Sequence, residues 1–210
     1  SGNPAAVAAG TSGHFLKSQG AGSVPVFAAV GGSGLVWLAR ATLAGAAAYD
    51  FESVISATYD NYKFVMAGIH ISGANSFYAQ VSTDNGSSYE GSSGDYHTAL
   101  DHLDSSTSSP GSYGNETVGY ISLAATGVRG LDTLAQHAYG GVMELFEVHN
   151  TAHYKFATFH SGHHDNEGDC AMTSGAVMMA NTQNIDAVRF TTNTGTLDEG
   201  TIDCFGYAKS

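Results

Sequence analysis

The sequence predicts an all-β fold: a β-sandwich or jelly roll of about nine strands with one short helix, preceded by an extended glycine-rich N-terminal segment. Three observations carry this. Apolar and β-branched runs recur with turn residues between them, while the 3.6-residue spacing of amphipathic helices is almost absent. Several runs are apolar on both faces, which suits two packed sheets better than one open sheet, with a narrow barrel as the runner-up. The 210 residues include 27 Gly, yet 42% are hydrophobic, and 11 Tyr and 10 Phe supply enough apolar area for a core.

The division along the chain is an N-terminal connector over 1–34 and a sandwich domain over 35–210. Gly10 to Phe27 pairs spaced glycines with Phe15, Leu16, Val24, Val26 and Phe27. Each glycine costs extra backbone entropy to order and offers nothing to pack, so this segment cannot build a core alone. Its apolar anchors are too many for a flexible linker. Ordering against copies of itself suits that pattern.

Leu35 to Leu43 reads as the first strand of the sandwich. Tyr62 to Ser72 and Ser76 to Thr83 follow, split by Gly73-Ala74-Asn75 as a hairpin turn. Residues 85–116 hold 14 Gly or Ser in 32 and read as a long loop. Inside it, Tyr96, Leu100 and Leu103 fall near helical spacing with Asp95, Asp101 and Asp104 outward, which predicts a short helix over 95–104. Thr117 to Ala125 is the next strand. Val142 to His149 then pairs with His153 to His160 across Asn150-Thr151-Ala152. Asp169 to Met179, Ile185 to Thr192 and Thr201 to Tyr207 complete the set.

The formal charge is −12, and seven Lys and Arg cannot form the basic stripe that a nucleic-acid reader needs. No apolar run is long enough to span a bilayer as a helix; Arg40 interrupts the best one, Gly34 to Ala48. Membrane insertion is therefore not expected, and neither is a secretory signal. Cys170 and Cys204 match no metal spacing and are expected to be buried free thiols.

Four sets of residues invite chemistry. His160-Ser161-Gly162-His163-His164-Asp165-Asn166-Glu167-Gly168-Asp169 gathers three His and three acids, with His160, His163, Asp165 and Asp169 as the candidate metal ligands. The same stretch also makes a good polar hairpin turn, and His163 and His164 face opposite ways if extended. Asp101-His102 with Ser105-Ser106 could be written as a nucleophile set, but no Gly-X-Ser-X-Gly elbow supports it. Glu144 and Glu147 fall on opposite faces of one strand, so they form no convergent acid pair for glycoside hydrolysis. Finally, Tyr89, Tyr96 and Tyr113, with His97 and His102, sit among Ser and Gly in the long loop, a composition typical of adaptable recognition surfaces. The alternative is that the tyrosines pin the loop to the sandwich. Trp37, in Leu35-Val36-Trp37-Leu38, reads as a core or subunit-interface residue.

The connector of Gly10 to Phe27 resembles the short glycine-rich segment ahead of the distal domain in bacteriophage tail-fibre proteins. Further pieces resemble marks of the same virion domains. They are Tyr49-Asp50-Phe51 with Thr58-Tyr59-Asp60-Asn61-Tyr62-Lys63-Phe64, then Gln80 through Tyr89, and the final Gly200-Thr201-Ile202-Asp203-Cys204-Phe205-Gly206. The resemblance implies a homotrimeric fibre domain on the phage particle, assembled in the bacterial cytoplasm beside other tail or capsid proteins. It implies adhesion to a host surface glycan or protein, with no catalysis and no cofactor. A head-fibre or decoration protein fits the same marks. A glycan-degrading tailspike fits less well, because no coil-length repeat is visible.

Overall fold

The computed structural model describes residues 14–29, 34–73, 76–106, 111–124, 138–165 and 168–209. They form strands and turns only, with no helix among them. The strands are β1 (His14–Lys17), β2 (Val26–Ala29), β3 (Leu35–Thr42), β4 (Ala48–Phe51), β5 (Tyr62–Ile71), β6 (Phe77–Ser82) and β7 (Tyr96–Asp104). They continue with β8 (Gly111–Val118), β9 (Ile121–Ala124), β10 (Tyr139–Phe146), β11 (Lys155–His164), β12 (Cys170–Met179), β13 (Ala187–Thr192) and β14 (Leu197–Tyr207).

Two antiparallel sheets make the sandwich. One has eight strands in the order β3-β14-β5-β10-β11-β12-β7-β8, the other four in the order β4-β13-β6-β9. Period-two alternation explains how they pack. In β11, Ala157, Phe159, Ser161 and His163 point inward and are buried, while Phe156, Thr158 and His160 point out. The inner faces meet over a core that includes Phe51, Phe64, Phe77, Tyr139 and Phe190. Its rings pack mainly edge to face, as in Phe64 against Phe190 at 5.2 Å between centroids. Where β14 and β5 shift register, Gly200 (φ 108°) lies so close to the Gly68 carbonyl that a Cβ would come within 2.5 Å of its oxygen. The buried Lys155 closes the β10–β11 connection: its ammonium donates to the carbonyls of Asn150, His153 and Thr182.

Four expectations are corrected. Residues 96–104 are a strand, β7, and not a helix: Tyr96, Thr98, Leu100, His102 and Asp104 alternate inward, whereas Leu103 is exposed. Tyr96 and Leu100 are four apart, a spacing that both periods satisfy. The 85–116 stretch is accordingly not one long loop, since β7 and β8 occupy much of it as an antiparallel pair. The segment between β5 and β6 is not a hairpin turn, because those strands lie in different sheets; Ala74 and Asn75 themselves lie outside the described residues. Cys204 is buried and free as expected, but Cys170 is exposed, because it falls on the outward side of β12.

The strands β1 and β2 form a separate two-stranded sheet, in register from His14↔Ala29 to Lys17↔Val26. Leu16, Val24, Val26 and Phe27 stand exposed on or beside it. Elsewhere, the large apolar side chains left exposed are Leu35, Val36 and Trp37 on β3, Leu103 on β7, Tyr154 and Phe156 at the start of β11, and Met172 on β12. Every one belongs to the eight-stranded sheet or to the residue just before it. The outer face of the four-stranded sheet has none among the described residues.

Candidate recognition site

Residues 84–91 strap across the outer face of the four-stranded sheet. The strap starts from a turn at Asp84-Asn85-Gly86, with Asn85 and Gly86 at φ 58° and 79°, a conformation that Asn and Gly tolerate. The Asp84 carboxylate accepts the Ser88 hydroxyl at 2.6 Å, the Ser88 N–H at 2.9 Å and the Ser82 hydroxyl at 2.8 Å. Those bonds, the Ser88 pair first, hold its carboxyl below the usual carboxylate range.

Tyr89 follows, half-buried. The Arg189 guanidinium lies 3.9 Å from the centre of its ring, and Arg189 in turn donates two bonds of 2.7 Å to the Asp50 carboxylate. The planar fork of arginine matches both partners at once. Burial, then the nearby Asp50 charge, pushes the Tyr89 hydroxyl up to about 12, so it stays protonated at neutral pH. Alongside, the Gln80 amide donates to the carbonyls of Glu90 (3.1 Å) and Gly119 (3.0 Å). Tyr78 and Tyr120 pair on the same side, with centroids 4.7 Å apart. The patch therefore combines aromatic faces with a fixed arginine–carboxylate pair. Such a set can stack against the apolar face of a sugar or side chain while hydrogen-bonding its polar edge.

The residues expected to recognise a partner are not brought together. Tyr89 lies in this patch. Tyr96 is fully buried: its hydroxyl accepts the Val81 N–H at 2.9 Å and donates to the Glu90 carbonyl at 3.3 Å. It pins the strap from below and cannot reach a surface partner. His97 lies on the opposite side of the molecule, on the outer face of the eight-stranded sheet beside Met178. Tyr113 is in β8 opposite Leu100, and its side chain lies outside the described residues. His102 is buried, with its ring 3.4 Å from the Asp104 carboxylate.

The 160–169 cluster divides in the same way. His160 is exposed outward, while His163 is buried against Tyr139 with ring centroids 5.9 Å apart. Asp165 is buried and accepts the Asp169 N–H at 2.9 Å, and the Asp169 carboxylate accepts the Ser105 hydroxyl at 3.2 Å. The first bond closes the β11–β12 hairpin, whose pairing runs to His164↔Cys170, and the second ties the end of β7 to it. Among the described residues, no three His, Cys, Asp or Glu side chains converge as a metal site.

Trp37 is exposed on β3 and outside the core, where its indole N–H donates to Asp203 at 2.9 Å. Sequence reasoning missed Asp50, Tyr78, Tyr120 and Arg189. The signal for Tyr78 was present: alternation in Phe77-Tyr78-Ala79-Gln80-Val81 puts it, with Gln80, on the side away from the core.

No family model, curated protein or solved structure matches the chain.

Proposed function

We propose that this chain is a domain of a bacteriophage virion fibre, most specifically a tail fibre, that adheres to a glycan or protein on the host surface without catalysis or a cofactor. It works as a homotrimer on the phage particle, attached to other virion proteins, with the N-terminal segment intertwined around the three-fold axis. The observation that supports this reading most is the β1–β2 hairpin with its exposed Leu16, Val24, Val26 and Phe27. An isolated two-stranded hairpin is marginal in water, so apolar side chains on one are best explained by partner copies that cover them. The sequence pieces that resemble tail-fibre domains support the same reading. Adhesion falls to the patch around Tyr89, Arg189, Tyr78 and Tyr120.

Native mass spectrometry of the full chain at micromolar concentration tests the assembly, with a trimer as the expected species. Deleting residues 1–30 should weaken the trimer while keeping the β signal in circular dichroism. A monomeric full-length chain would overturn the reading.

A further inference from the structure

At the end of the sandwich where β10 stops and β5 starts, the chain forms a cleft of about 350 Å³. Its lining comes from Asp60 and Asn61, just before β5, and from Glu147, His149 and Asn150, just after β10. None of these residues belongs to the patch around Tyr89. Small-ligand sites run from roughly 300 to 1,000 Å³, so this volume suits one sugar-sized ring.

The cleft is built rigidly. Glu147 sits at φ 53°, a left-handed conformation that is unfavourable for a side chain of its kind. Three bonds hold it there. Its N–H donates to Asn61 Oδ1 at 2.8 Å, its carbonyl accepts the Asn150 N–H at 2.9 Å, and its carboxylate accepts Asn150 Nδ2 at 2.9 Å. The next residue, Val148, is buried, and its backbone bonds Asp60 at 3.0 Å and Ile185 at 2.9 Å. A strained turn pinned from two distant segments keeps its polar side chains in place before any ligand arrives.

Three polar groups in this cleft are not used by the fold. Asn61 commits its oxygen to the turn, which leaves its amide N–H groups to donate elsewhere. Glu147 meets Asn150 through Oε2, which leaves Oε1 to accept. The Nε2 of His149 is buried and has no hydrogen-bond partner, a condition that folded chains avoid unless something else supplies one.

Charge narrows the ligand. Asp60 pairs with Lys209 at 2.8 Å. The buried ammonium of Lys155 stands near Glu147: burial pushes its pKa down, and the Glu147 charge pushes it back up. Each carboxylate therefore has a lysine to answer it, so the cleft offers hydrogen bonds of both senses rather than a net charge. Hydroxyl groups, which donate and accept at once, match that set.

We infer that this cleft binds one neutral pyranose residue of a glycan, whose hydroxyls donate to Glu147 Oε1, accept from Asn61 Nδ2 and meet His149 Nε2. The inference rests on the glycan arm of the proposed function and adds a contact point at the end of the sandwich, separate from the outer patch.

Saturation-transfer NMR on the full chain tests it, with the methyl glycosides of glucose, galactose, mannose and N-acetylglucosamine at millimolar concentration. Two variants separate binding from folding, with thermal melting by circular dichroism as the control. Glu147→Gly suits the local φ and removes the carboxylate. Asn61→Asp keeps the acceptor for the Glu147 N–H and removes the donor. At least one glycoside is expected to bind the parent chain and Tyr89→Ala alike. Each cleft variant should bind it about tenfold or more weakly, the effect of losing one charge-assisted hydrogen bond, while Glu147→Gly melts within a few degrees of the parent. Binding that Tyr89→Ala abolishes and Glu147→Gly leaves intact overturns the cleft and moves glycan recognition to the outer patch, with the adhesive reading standing. No binding of any of the four also overturns the cleft; host adsorption by the parent would then keep adhesion, through a protein receptor. A melting temperature raised by Ca²⁺ alone, and no longer raised in Glu147→Gly, would make this a cation site and overturn the sugar.

Discussion

The hydroxyl of Tyr96, on the eight-stranded sheet, caps the backbone N–H of Val81 on the four-stranded one at 2.9 Å. One side chain thus crosses the sandwich to tie the two layers together. Tyr96→Phe keeps the ring but leaves a buried N–H without its acceptor, at a cost of about 1–3 kcal/mol. A lower urea midpoint with an unchanged slope is the expected result. Host adsorption should fall no further than that stability loss explains.

Tyr89 carries the opposite expectation. Its ring contributes little to the core, and the half-buried cation–π contact with Arg189 is worth about 1 kcal/mol. Tyr89→Ala should therefore leave the melting temperature within a few degrees of the parent. Adsorption to host cells should drop about thirtyfold, the effect of losing a contact tyrosine worth about 2 kcal/mol. Lower stability with unchanged adsorption would mean that Tyr89 only anchors the strap.

Acid should loosen the β3–β14 edge. Hydrogen bonds from Arg40, then that from Trp37, hold the Asp203 carboxyl below its ordinary range against the opposing effect of burial. A depressed carboxyl stabilises the fold above its unfolded value of about 3.9. That contribution is lost as pH falls through the lower folded value. Urea midpoints from pH 6 to pH 2.5 should fall for the parent and fall less for Asp203→Asn. Parallel acid limbs in the two proteins would remove Asp203 from the account.

Chelation should do nothing to stability. A metal bound only by the folded chain raises its apparent stability by mass action, and His160 and His163 point to opposite sides of their sheet. Dialysis against EDTA is expected to leave the melting temperature unchanged. Asp165→Ala should cost about 1–3 kcal/mol with or without chelator, since it removes the acceptor of the Asp169 N–H. A chelator effect that Ca²⁺ or Zn²⁺ reverses, and that Asp165→Ala abolishes, would restore the metal reading.

Long apolar strands such as Tyr62–Ile71 and Cys170–Met179 were legible because ten residues carry enough alternation on either side of one mid-strand break to show a period of two. Tyr96–Asp104 was not, because its inward set mixes Tyr, Thr, Leu, His and Asp, so alternation by polarity disappears although alternation by burial is complete. Ala48–Phe51 is too short to show any period. The recognition patch was half legible. Tyr89 announces itself in a polar turn, but its partners Asp50 and Arg189 are 139 residues apart in sequence and meet only through the β4–β13 pairing.

The position of β14 has a consequence for how the molecule is made. This strand, ending at Tyr207, lies between β3 and β5, so it bridges segments synthesised more than a hundred residues earlier. Until it arrives, β3 has no neighbour in the sheet and β5 offers an open edge. A nascent chain must therefore keep β3 and the free edge of β5 unpaired until β14 is made, while exposed strand edges invite wrong partners. Closure is a late, long-range event, and folding should be slow for a domain of this size.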